Sequence, residues 1–212
     1  MPVEQPMNFA KNLFIALDGL DGTGKSTQQR LLCDWLRERG HDVVACRDPG
    51  TTALGERIRT VLLSRESVPI DRRSEMLLYM AARAQLVAEV IEPELAAGRT
   101  VVSDRYLLAN VVYQGYGGGL DPAEIWRVGQ FATRGLLPKL VLVLDMPPDA
   151  AAARIHRQRD RMEEQGDDFS RRVREGFLAE AADDPHGIEI INAAQSIENV
   201  QADIRAAVEK IL

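Results

Sequence analysis

The sequence predicts an α/β fold, a parallel sheet with helices on both of its faces. Three observations carry this. Five short apolar runs, most of them β-branched and without strict alternation, read as strands covered on both sides. Amphipathic helical patterns separate those runs, as parallel pairing requires. A turn with three glycines, "GLDGTGKS" at 19–26, joins the first run to the first helical pattern.

In order, the strands are expected at 13–17, 42–46, 100–104, 140–145 and 188–192. The first helix spans Lys25–Arg39 and is stopped by Gly40. The next, Leu54–Ser64, follows a Pro-Gly turn. A long helical pattern over Asp71–Ala97 ends at Gly98, with Pro93 predicting a kink. Asp121-Pro122 makes a strong helix start, a capping carboxylate followed by proline at the first helical position. Between Arg154 and Arg174 polar residues dominate, and Gly166 divides two helical halves. That segment suits a solvated hairpin or a moving lid, at about 150–170.

The 212 residues suit a single domain over 1–212, preceded by an aperiodic tail at 1–11. A content of 45% hydrophobic and 27% charged residues is that of a globular chain. The formal charge of −6 argues against a nucleic-acid binder, whose phosphate contacts need a basic face. Cys33 and Cys46 read as core-filling thiols, and with no secretory signal they place the chain in the cytoplasm. No apolar run approaches the roughly 18 residues of a membrane span.

Gly19, four residues, then Gly24-Lys25-Ser26 form a P-loop. Its glycines let the backbone curl so that several N–H groups point at one anion, and the following helix turns its positive end to the same place. Lys25 is expected on the β- and γ-phosphates of a nucleoside triphosphate and the Ser26 hydroxyl on Mg²⁺. The nucleotide-holding set is therefore Gly19, Leu20, Asp21, Gly22, Thr23, Gly24, Lys25, Ser26 and Thr27. No "NKxD" segment for guanine occurs. Asp104, a second Mg²⁺ ligand directly or through water, ends an apolar strand and is followed by Arg105. An acid beside a cation there suggests two anions meeting at the sheet edge. Tyr79 and Arg83, four apart, share a helix face on which a base could stack and be hydrogen-bonded.

From about Leu13 onward the chain resembles the thymidylate kinases. The motifs are "GLDGTGKST", "RDPGTTALGERIR", "LLYMAARAQ", "SDRYLLANVVYQGYGGGLD" and "RQRDRMEEQGDDFSRRVREGF", in the family's order and spacing. The resemblance implies a P-loop nucleoside-monophosphate-kinase-like three-layer fold with a five-stranded parallel sheet, a short lid and commonly a homodimer. It implies transfer of the γ-phosphate of Mg-ATP to dTMP. Tyr79 would stack on thymine and Arg83 reach its carbonyl oxygen, with Asn110 and Gln114 at the base edge and Tyr113 beside the sugar. Arg59 and Arg105 would grip the acceptor phosphate, with Asp48 and Asp21 nearby. Thr51 stands where many relatives carry a second glycine, and Leu108-Ala109-Asn110 where many carry "DSS".

Phosphoryl transfer needs alignment and charge neutralisation more than covalent chemistry. The family supplies an arginine to the moving phosphoryl group from the P-loop or the lid. Leu20-Asp21-Gly22-Thr23 contains none, so the lid is expected to provide it through Arg154, Arg157 or Arg159. With Lys25 and Arg105 these form the expected catalytic set, while Arg161 is expected to pair with Glu163 or Glu164. His41, His156 and His186 read as surface residues. A deoxynucleoside kinase, which would need a carboxylate base, is one alternative. A nucleotide-binding regulator without turnover is another, disfavoured by the intact Lys25, Ser26 and Asp104.

Overall fold

The computed structural model describes residues 13–64, 69–156, 158, 160–183 and 187–212. The expected tail, Arg157, Arg159 and His186 lie outside them. All five expected strands form: β1 Phe14–Gly19, β2 Val43–Arg47, β3 Thr100–Asp104, β4 Leu140–Asp145 and β5 Ile188–Asn192. They make one parallel sheet in the order β2-β3-β1-β4-β5. β1 lies in the middle and every one of its residues is buried, which explains its unbroken apolar character.

The helices follow from the order of the strands. They are α1 Lys25–Glu38, α2 Ala53–Leu63, α3 Arg72–Leu86, α4 Glu92–Ala96, α5 Leu107–Asn110, α6 Pro122–Thr133, α7 Pro148–Ala153, α8 Asp167–Asp183 and α9 Ile197–Glu209. From β1 the chain steps outward to β2, then reverses and moves the other way through β3, β4 and β5. Right-handed crossovers put helices from opposite directions of travel on opposite faces. Accordingly α1 packs with α9, while α3 packs with α6 and α8 lies against the segment after α5. The loops after β1 and β3 thus diverge to opposite faces and leave a crevice at the carboxyl edge.

Three local expectations are corrected. Pro93 does not simply kink one long helix. A wide π turn over Val87–Ile91 separates α3 from α4, with the Glu92 N–H donating to Val87 O. One extra residue in that turn takes up the hydrogen bond that Pro93 cannot make. Among the described residues the first half of the expected lid carries no long helix: α7 ends at Ala153, and a 3₁₀ turn over Glu163–Gln165 precedes Gly166. Gly166 does divide the segment, at φ 89°. Finally, α9 was not among the expected helices; Ser196 caps it by accepting from Asn199 N–H.

Cys33 and Cys46 are free and buried, and burial pushes their thiols up to about 11 and about 12. No helix among the described residues is long and apolar enough to cross a membrane.

Candidate active site

The glycine turn sits where β1 hands over to α1. Gly19, Gly22 and Gly24 have φ of 128°, 86° and 96°, the region open to glycine at little cost. Space decides at Gly22, where a Cβ would lie 2.1 Å from Ala151 O of α7. Lys25 folds back over the turn, donating to Gly19 O (3.2 Å) and Leu20 O (2.8 Å), with Asp21 3.6 Å away. Burial, then the nearby Arg105, lowers its pKa. Ser26 Oγ donates to Asp104 Oδ2 at 2.9 Å, so a hydroxyl and a carboxylate stand side by side. Those are hard oxygen donors of the kind Mg²⁺ takes, in the small number it needs when phosphates complete the shell.

Parallel register brings the second cluster to the same rim. Leu17 and Arg47 are both level with Asp104, and Arg105 N–H donates to Leu17 O. Arg105 has φ 67°, a left-handed conformation rare for a residue with a side chain. Its guanidinium turns toward the P-loop and donates to Gly19 O (2.9 Å), Asp21 Oδ1 (2.8 Å) and the Tyr113 hydroxyl (3.1 Å). It also lies over the Tyr113 ring, 4.8 Å from the centroid. Burial opposes its charge, yet Asp21, Tyr113, Asp18 and Asp104 together hold its pKa well above the ordinary value.

All nine residues expected around the acceptor line one open cavity: Asp21, Asp48, Arg59, Tyr79, Arg83, Arg105, Asn110, Tyr113 and Gln114. Tyr79 and Arg83 share a face of α3, as their spacing predicts. Arg83 is fully buried and held by Asp48 Oδ2 (2.5 Å), Asn110 Oδ1 (2.9 Å) and Tyr106 O (3.2 Å). Asn110 ends α5 and Gln114 lies in a π turn over Val111–Gly117, so both amides project from helical backbone. Arg59 is half-buried on α2 and donates to Pro49 O at 3.0 Å. Thr51 has φ 67°; its hydroxyl accepts from Arg47 N–H at 2.9 Å and its N–H donates to Glu56.

Arg154, in the expected lid segment, is exposed and donates to Ala193 O in the loop after β5. Arg161 pairs with Glu75 on α3, and its Nε donates to Leu62 O at 2.8 Å. The expected partner Glu163 has its side chain outside the described residues. A carbonyl at the end of α2 and a buried carboxylate are both strong acceptors for a guanidinium. His156 is exposed, and His41 lies 3.3 Å from the Thr100 hydroxyl.

Sequence reasoning missed three residues. Asp18 is fully buried at the end of β1, with no hydrogen-bond partner for either carboxylate oxygen and Arg105 3.9 Å away. Burial raises its carboxyl to about 7 against the pull of Arg105 and Lys25. The one available signal was an acid closing an apolar run. Glu75 and Arg161, the other two, gave no signal, because each reads as ordinary helix or lid polarity.

Known proteins resemble this chain over most of its length. The family model described as thymidylate kinase matches residues 17–204. A thymidylate kinase of Bifidobacterium longum is 44% identical over 202 residues, 94% of this chain and 98% of that one. One from Clavibacter sepedonicus is 45% identical over 197 residues, 92% of this chain and 93% of that one. The crystal structure of thymidylate kinase from Ehrlichia chaffeensis superposes with a TM-score of 0.78 at 27% identity, covering 93% of this chain and 98% of its own. Beside the P-loop, the Asp104-Arg105 rim and the cavity next to them, these matches establish that the chain belongs to the thymidylate kinase family.

Proposed function

We infer that the enzyme transfers the γ-phosphoryl group of ATP to dTMP, giving dTDP. The observation that carries this reading is that all nine expected acceptor residues, from separate elements, line one cavity beside the P-loop. Tyr79 offers a ring face for the base, Arg83 a donor for its carbonyl, and Arg59 and Arg105 forks for the phosphate. Arg105 now spends its donors on Asp21 and Tyr113, so an arriving phosphate would take over contacts already aimed into the cavity. Asp21 would then accept from the sugar 3′-hydroxyl.

The acceptor phosphate oxygen is already anionic, so no side chain has to remove a proton. Lys25 and the amides of residues 19–27 hold the donor phosphates, while Arg59 and Arg105 hold the acceptor in line. Ser26 and Asp104 would hold Mg²⁺, which when bound neutralises charge on the donor phosphates. A lid arginine, Arg154, Arg157 or Arg159, follows the migrating group, and lid closure excludes water.

The partner is a second copy of the chain. The support is an apolar face on α3 and α6 where Phe131 is 88% and Leu77 53% exposed, the kind of surface that marks protein–protein contact. Sedimentation of wild type and Phe131→Arg should give dimer and monomer; a monomeric wild type ends that part of the reading. Two buried thiols and nucleotide substrates fit a cytoplasmic enzyme, which cell fractionation would check.

The deciding experiment offers dTMP, dUMP, dCMP, dGMP and thymidine with Mg-ATP and follows ADP release. Turnover with dTMP well above the others is expected. ATP consumption with thymidine but not dTMP would favour a nucleoside kinase, and none with any acceptor a regulator.

A further inference from the structure

Two residues that do not line the acceptor cavity control the groups that do. Glu75, in the first turn of α3, is 8% exposed. One of its oxygens accepts from Gln114 Nε2 at 2.9 Å and the other from the Arg161 guanidinium. The chain continues inward: Asn110 Nδ2 donates to Gln114 Oε1 (2.7 Å), and Arg83 donates to Asn110 Oδ1 (2.9 Å). Arg83 is in turn tied to Asp48.

The ends of this chain differ in kind. Arginine can only donate, and an ionised carboxylate can only accept. Two amides strung between them have one satisfactory orientation. The reverse would set Asn110 NH₂ against the Arg83 guanidinium and Gln114 Oε1 against the Glu75 carboxylate, two repulsive contacts in a buried setting. The cavity therefore presents amide oxygens beside an Arg83 N–H, and never the opposite pattern. A thymine edge, with an N–H next to a carbonyl, matches it. A cytosine edge, with a ring nitrogen acceptor next to an amino group, meets oxygen with a lone pair and N–H with N–H.

We infer that Glu75 and Arg161 are positioning residues that lock the hydrogen-bond polarity of Asn110 and Gln114, and so set the discrimination of thymine from cytosine. This rests on the proposed dTMP kinase reading. Arg161 belongs to the lid segment and its Nε is satisfied by Leu62 O at the end of α2. The segment carrying the lid arginines thus also secures the base readers, through Glu75.

The test compares kcat/KM for dTMP, 5-methyl-dCMP and dUMP in wild type, Glu75→Ala, Glu75→Gln and Arg161→Met. The 5-methyl compound keeps the methyl group and changes only the hydrogen-bonding edge. Glu75→Ala leaves Gln114 Nε2 without its acceptor, so the dTMP to 5-methyl-dCMP ratio should fall about tenfold or more, the scale of one unpaired buried polar group. The dTMP to dUMP ratio, which reads the methyl group, should stay within about twofold by the same reasoning. Glu75→Gln retains an acceptor and should restore most of the lost selectivity. Arg161→Met should lower the same ratio as Glu75→Ala, and it decides the matter alone if Glu75→Ala does not fold. An unchanged ratio in both Glu75→Ala and Arg161→Met, with both nucleotides losing kcat/KM equally, would reduce the pair to packing and overturn the inference. Wild type that ignores dTMP altogether would instead refute the functional reading beneath it.

Discussion

Replacing Asp18 by asparagine should make the nucleotide-free protein more stable at neutral pH, and the gain should vanish on acidification. Asp18 has no solvent exposure, neither oxygen is hydrogen-bonded, and Arg105 at 3.9 Å is its nearest cation. Burial lifts its carboxyl from 3.8 to about 7. Between those values the native state binds more protons than the unfolded chain, so wild-type stability falls as pH rises through the window and levels off above it. At about 1.4 kcal/mol per tenfold, the whole loss is on the order of 4 kcal/mol, of which roughly 3 kcal/mol falls between pH 5 and pH 8. Asparagine has nearly the same shape and does not titrate. Urea unfolding of both proteins at pH 5, 6, 7 and 8 should show the stability difference, variant minus wild type, growing by about 3 kcal/mol across the series. All other titrating groups are common to the two proteins and cancel. A difference that stays constant with pH, or shrinks as pH rises, would refute the reasoning.

Other predictions concern the nucleotide side. Gly22→Ala puts a methyl group 2.1 Å from Ala151 O at a φ of 86°. It should cost about 1–3 kcal/mol of stability and lower kcat/KM for ATP by at least about tenfold; wild-type kinetics would show that the turn and α7 yield easily. Alanine placed singly at Arg154, Arg157 and Arg159 should, at one position, lower kcat by about 10³-fold or more while nucleotide affinity changes little. Steady-state kinetics with full turnover in all three variants would remove the lid from the chemistry.

Much of this molecule was legible before any coordinates. The P-loop is contiguous, so its glycines, Lys25 and Ser26 carry their geometry in their spacing. The strands showed as β-branched runs because a sheet buried on both faces permits little else. Tyr79 and Arg83 were paired correctly because a helix repeats every 3.6 residues, whatever it packs against. The motif resemblance then supplied the acceptor set, whose nine members meet in one cavity.

What remained hidden depends on contacts between distant parts of the chain. Arg161 and Glu75 are 86 residues apart and meet only because the lid segment crosses α2 and α3. Asp18 reads as any strand-end acid until the folded chain excludes water from it in the middle of the sheet. Sequence by itself determined the local backbone and the residue types at the site, because those follow from neighbours along the chain. Tertiary structure alone decided which charges are buried together, because desolvation is set by what folds over a group and not by what precedes it.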